Sequence, residues 1–418
     1  MVNANGLPTI AIRSRVVCNT SVTGGNLFGV SPLASSSQVY SLSIHADYRC
    51  RHSGNCCTAD WDVPVELPVY RSLEEALTAG RLTAAPASGP GPFIVEPDMP
   101  DDAAAILGRT STGDCVFFER SSHLCVVHRD FSEAALPATC RHFPRVALQD
   151  ARGTFVGLSH FCPTAAAMLF RQDVPLAIVD APPSFPPADY EGLTVPDGDL
   201  PPLLRPGMLM DPDGYTAWEA HMVARCADAR SGPESVLATL VRDAAVLRRW
   251  RPSDGSLDNA VRVLPREPVD AVPHHELLES LTHYRRALEA VPDDLKPEPD
   301  ERGLENEYVR SVLPEWKGWN VPLAHFIAAK AFASWTAYQG RGVATVVRGL
   351  EAAIALVRVE AARLCRDHRR RLDGDLLLEA FRAADFILNH LAVGEDLATG
   401  WSIAEQGPAP TQSPISPS

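Results

Sequence analysis

Ten cysteines occur in the chain, and seven of them fall in one stretch: Cys50, Cys56, Cys57, Cys115, Cys125, Cys140 and Cys162. Thiolates are the soft ligands that zinc and iron–sulfur centres select, and four suffice for a tetrahedral zinc or for a cubane's four irons. Seven is more than one zinc needs. Gly54, beside the vicinal Cys56–Cys57 pair, would let the backbone turn tightly around a metal, and Pro144 and Pro163 stiffen the chain after Cys140 and Cys162. His45, His52, His123, His128, His142 and His160 lie in or just before the same stretch. The spacings Cys125 to His128 and Cys140 to His142 allow both side chains of each pair to reach one centre. The seven clustered cysteines are therefore the candidate metal ligands. Cys18, Cys226 and Cys365 stand singly, and the last two fall in helical patterns where cysteine acts as a small hydrophobe.

The compartment decides whether such cysteines ligate or cross-link. Residues 1–40 are interrupted and rich in Ser, Thr and Gly, with Arg13 and Arg15 in mid-segment, and contain no basic start, apolar stretch and cleavage site. A cytoplasmic location is expected, where thiols stay reduced and clustered cysteines serve metals or redox chemistry. With 45% hydrophobic and 22% charged residues the composition is that of a soluble protein, and no apolar run reaches the roughly 18 residues of a membrane span. A formal net charge of −14 argues against bulk nucleic-acid binding. Arg363, Arg366, Arg369, Arg370 and Arg371 form a local basic group that suits the end of a helix.

The elements that must position the cysteines differ along the chain. Short apolar runs such as 116–118, 124–127 and 155–158 suggest loops and short strands in the cysteine-rich part. The proline-rich stretch 181–206 reads as an extended connection, and helical patterns follow to about residue 393. Val343, Val347, Leu350, Ile354, Val357 and Leu364 fall on one helical stripe. Leu377, Phe381, Ala384 and Leu388 repeat the pattern, with Asp373 or Asp375 as caps and Gly394 as a stop. Two helices broken near Gly232 and Pro233, and another over 274–291, complete the set. The expected fold is mainly α: an irregular, cysteine-rich, metal-binding N-terminal region with short strands, followed by an α-helical C-terminal region. The expected divisions are an extension over 1–40, a cysteine-cluster domain over 41–180, a connection over 181–206, a helical domain over 207–395 and a disordered tail over 396–418.

The motifs carry a resemblance. Cys50-Arg51-His52-Ser53-Gly54-Asn55-Cys56-Cys57 resembles the C-x-x-C-G-x-C-C signature of the bacterial cysteine-cluster family of zinc- or iron-chelating proteins, in its flagellin lysine N-methylase branch. The segments Asp114–Phe118, Leu124–His128 and Leu136–Arg145 are similar, in order, to that family's C-x-F-L, L-C-x-I-H and T-C-R-x-F-P-R elements, and Leu158–Pro163 is similar to the closing S-x-C-P of the methylase branch. Ser53 stands where the signature has its second cysteine, which removes one thiolate. The resemblance implies an iron–sulfur cluster, of the 4Fe–4S kind, or zinc; S-adenosylmethionine as cofactor; and transfer of a methyl group to a lysine presented by a protein partner. No strand followed by a G-x-G-x-x-G turn marks an ordinary nucleotide-fold methyltransferase. The alternative is a non-enzymatic structural or redox-sensing metal protein.

Overall fold

The structure is a computed structural model. It describes residues 38–405 apart from 60, 97, 98, 100–102, 187, 189, 191, 196–201, 229–231, 274, 298 and 299. Cys18 and the expected extension and tail segments at 1–37 and 406–418 lie outside the described residues.

The first half alternates short strands with short helices: β1 (Val39–Leu42), β2 (Pro64–Glu66), α1 (Leu67–Thr78), β3 (Phe93–Ile94), β4 (Ala103–Leu107), β5 (Phe118–Glu119), β6 (Leu124–Cys125), α2 (Val126–Phe131), α3 (Ala138–His142), β7 (Arg145–Asp150), β8 (Gly153–Leu158), α4 (Pro163–Met168), β9 (Ile178–Asp180) and β10 (Gly192–Thr194). Five strands form one mixed sheet in the order β10-β7-β8-β1-β9. The β7–β8 hairpin is antiparallel in continuous register from Arg145–Leu158 to Asp150–Gly153, while β1 joins β8 in parallel. Alternation places Leu42, Leu148 and Phe155 against the main core, and Val39, Val156 and Leu158 in a second apolar cluster with Tyr48, Cys162 and Phe185. A smaller antiparallel sheet, β2-β4-β3, stands apart.

The second half opens on the hairpin β11 (Leu203–Arg205) and β12 (Met208–Leu209) and continues as helices: α5 (Pro212–Cys226), α6 (Pro233–Leu247), α7 (Leu257–Arg262), α8 (Leu278–Glu289), α9 (Leu304–Glu307), α10 (Leu313–Trp316), α11 (Asn320–Ala331), α12 (Thr336–Gln339), α13 (Val343–His368), α14 (Gly374–Phe386) and α15 (Gly394–Glu405). Asp211 and Asp373 cap α5 and α14 by accepting from Gly214 N and Leu376 N. Gly394, expected as a helix stop, instead begins α15. α13 buries 18 of its 26 residues, so the expected single stripe is a helix enclosed on nearly all sides by α6, α8, α11, α14 and α15. Its end carries the basic group, and four of those five arginines are committed: Arg363 to Glu360, Arg366 to Asp367 and Asp300, Arg370 to Asp373 and Arg371 to Glu315.

The expected mainly α fold is corrected. Helices account for about 51% and strands for 12% of the structure, and the strands make mixed sheets rather than an irregular region. The reason is long-range pairing: β1 meets β8 across more than a hundred residues, and β10, inside the proline-rich stretch, joins β7 in parallel. Runs of three or four residues carry no period from which such partners can be read. The apolar core also runs through both halves, from Leu42 to Trp401. Polar ties reinforce the junction, since Trp335 Nε1 donates to Ala147 O at 3.1 Å and Arg152 bridges Asp150 and Glu219. Among the described residues no helix is long and apolar enough to cross a membrane.

Candidate functional site

The local folds around the cysteines differ. Gly54 adopts φ +76°, and a Cβ there would lie 2.6 Å from the Phe118 ring, so only glycine fits where the chain turns into the 3-10 segment Asn55–Cys57. Cys115 N donates to Cys57 O at 2.7 Å, which clamps the loop after β4 onto that segment. Cys125 ends β6 opposite Phe118 and leads into α2. Cys140 lies in α3, whose first amide, Ala138 N, donates to Glu66 Oε1 at 2.8 Å. Cys162 leads into α4, and Cys50 is exposed in the loop after β1.

All seven cysteines line one cavity of about 470 Å³. Ser53 lines it too, as do His52, His123 and His128. Five thiols interact with one another: Cys140 feels Cys115, Cys56 and Cys125, and Cys57 feels Cys56, Cys115 and Cys125. Cys56 also acts on Cys50 and Cys162, which sit towards Tyr48, whose hydroxyl is 3.7 Å from the Cys162 sulfur. Burial pushes the Cys115 thiol up to about 11 and raises Cys125, Cys140 and Cys162. The exception is Cys56, lowered by the hydrogen bond from Cys57, which is itself raised.

The expectation of a metal-binding cysteine region is corrected at this level. A tetrahedral zinc with bonds of roughly 2.3 Å sets its thiolates about 3.8 Å apart. The Cys56 and Cys57 sulfurs approach that, at 4.0 Å. Among the described residues, however, no three His, Cys, Asp or Glu side chains form a group that could hold a metal ion. The seven cysteines share a cavity without converging on one point. Cys226 and Cys365 lie elsewhere, buried within α5 and α13.

Two features escaped the cysteine-centred reading. The first is the cationic wall of the cavity, made by Arg49, Arg109, Arg141 and Arg145 against a single carboxylate, Glu133. Arg109 donates to the carbonyls of Cys57 and Trp61, tying the two walls together. The second is a buried polar network behind the cavity. Lys330 of α11 pairs with Asp385 of α14, which also accepts from Ser159 Oγ at 2.8 Å, Phe161 N at 3.2 Å and Asn389 Nδ2 at 3.0 Å. Because the Ser159 proton goes to the carboxylate, His390 Nε2–H donates to Ser159 Oγ at 2.7 Å. The His390 ring lies among Trp61, Phe143, Phe161 and Phe386, and the first two line the cavity. His160 and His45, counted in sequence with the cysteines, belong to this network, with 3.3 Å between their Nε2 atoms. Comparison with known protein families, curated proteins and solved structures finds nothing that matches this chain.

Proposed function

We propose that the chain is a metal-binding cysteine-cluster protein that holds an iron–sulfur cluster in the cysteine-lined cavity. The observation that carries the reading is that seven free thiols, from Cys50 to Cys162, line one cavity of about 470 Å³. A structural role in an apolar core would not gather thiols around open space. Iron–sulfur is favoured over a single zinc because a cluster spreads its thiolates over several irons, whereas one ion needs them close together. Cys56, Cys57, Cys115, Cys125 and Cys140, the mutually interacting set, are the ligands of this reading, with Cys50 and Cys162 beside them. Such a cluster supplies electron transfer or an open iron for a substrate. The chain's own contribution is to hold the thiols on short, clamped segments and to set the Arg109 guanidinium nearby, where it favours the thiolates of Cys56, Cys115 and Cys140.

A second reading adds catalysis. The ordered motifs from Cys50 to Pro163 favour a protein-lysine methyl transfer with S-adenosylmethionine, and the cavity lies within the roughly 300–1,000 Å³ of small-molecule sites. A non-enzymatic structural or redox-sensing role is the competing outcome.

Replacement of Cys56 or Cys140 by alanine tests the ligand set against Cys226→Ala as a control. Loss of bound metal in the first two and retention in the third is expected. Equal metal content in all three would remove the assignment.

A further inference from the structure

The cavity carries a charge pattern that thiol ligation does not require. In a chain of net charge −14, it is lined by four arginines and one acidic residue, exposed Glu133. Arg109 is committed to two backbone carbonyls. The other three keep most of their donors. Arg145 uses one N–H on Arg141 O at 3.2 Å, and Arg141 uses one on Leu136 O at 3.2 Å, out of the five that each guanidinium offers. Arg49 makes no ion pair or hydrogen bond with a described residue. No carboxylate among the described residues pairs with any of the three. This contrasts with Arg363, Arg366, Arg370 and Arg371 around the end of α13, which carboxylates hold.

The geometry is built rather than incidental. The Arg145 guanidinium carbon lies 5.8 Å from the centroid of the Tyr48 ring and 5.7 Å from that of the Phe185 ring, so the charged group sits between two aromatic side chains at the cavity. Tyr48 and Phe185 are themselves buried in the second apolar cluster. A guanidinium fork in a partly enclosed cavity matches the paired oxygens of a carboxylate or phosphate, and low-dielectric walls concentrate its field.

We propose that the side of the cavity bounded by Arg49, Arg141 and Arg145 binds the oxyanion group, carboxylate or phosphate, of a small molecule. The bound group lies next to Cys50 and Cys162, on the side away from Cys57 and Cys115. The site does not depend on a metal being present.

Calorimetric titration of the full chain at low chloride, with inorganic phosphate in one arm and succinate in the other, tests this. Saturable binding in at least one arm is expected, and the tighter arm identifies which oxyanion the site takes. Arg145→Gln should weaken that binding at least tenfold, and Arg49→Gln, at an exposed position with nothing to unfold, at least threefold. Both should keep their metal content and circular dichroism. Cys140→Ala should retain anion binding whatever its metal content, so the metal reading and this one fail separately. Absence of binding in both arms, or wild-type affinity in both arginine variants, would overturn the proposal.

Discussion

The hydroxyl of Tyr48 stands 3.7 Å from the sulfur of Cys162, joining the loop after β1 to the residue that opens α4. Strand β1 pairs in parallel with β8; Tyr48 follows the first strand through the 3-10 turn Ser43–His45, and Cys162 follows the second just before α4. The last cysteine of the cluster is therefore held by the strand pairing that the sequence conceals. Tyr48→Phe removes the contact and leaves the ring beside Arg145. A loss of about 1 kcal/mol in denaturant unfolding is expected, with metal content unchanged; loss of metal would place Cys162 among the indispensable ligands.

Gly54 offers a sharper perturbation. Alanine there meets a left-handed backbone at φ +76° and a contact of 2.6 Å with the Phe118 ring. The backbone term costs roughly 1–2 kcal/mol and overpacking about 1–3 more. Gly54→Ala should therefore lower stability by about 2–5 kcal/mol and disturb Cys56 and Cys57. Adding Phe118→Leu should recover part of the loss. A second substitution without effect would show that the ring is not the obstacle.

The Lys330–Asp385 pair is buried on the Asp385 side, where the carboxylate has no exposure. Burial alone would raise its pKa, but Lys330 and the histidines reverse this and hold it far below the usual carboxylate range. Lys330→Met strands that charge and should cost about 3–5 kcal/mol. Lys330→Met with Asp385→Asn should cost less than the sum of the singles in a thermodynamic cycle. Additive losses would mean that the two groups do not stabilise each other.

The same network sets an acid limit. Burial lowers His390 from 6.5 to about 4, against the attraction of Asp385, and burial also lowers His160 and His45. Between these values the unfolded chain binds a proton at His390 that the folded chain refuses, so stability falls as pH drops from about 6.5 to about 4. For His390 alone the span corresponds to about 3 kcal/mol. Asp385, with its depressed pKa, contributes in full above about 4 and loses that contribution only at lower pH. His390→Gln should flatten the decline between pH 6.5 and 4 without removing it, because His45 and His160 remain. An unchanged slope in urea unfolding across that range would remove His390 from the network's proton balance.

The sequence made the helices and the cysteine segments legible, for identifiable reasons. α13 is long enough for its period to show, Asp373 caps α14 as its position suggests, and Gly54 takes the left-handed turn expected beside a vicinal thiol pair. What stayed hidden depends on distant partners. β9 and β10 are three residues each and exist only by pairing with β1 and β7. Lys330, Asp385 and His390 are separated by more than 150 residues from Ser159 and follow no spacing rule. Arg141 and Arg145 were visible inside the T-C-R-x-F-P-R-like segment, yet only the cavity sets them beside Arg49. The expectation of a ready-made metal-binding region failed because, among the described residues, the cysteines that line the cavity do not bring three ligating side chains together.

The most direct test of the central claim is the metal content of anaerobically purified protein, read with its absorption spectrum. The account predicts iron and acid-labile sulfide in equal amounts, with broad visible absorption that disappears in Cys140→Ala. A colourless protein containing only zinc, or no metal at all, would contradict it.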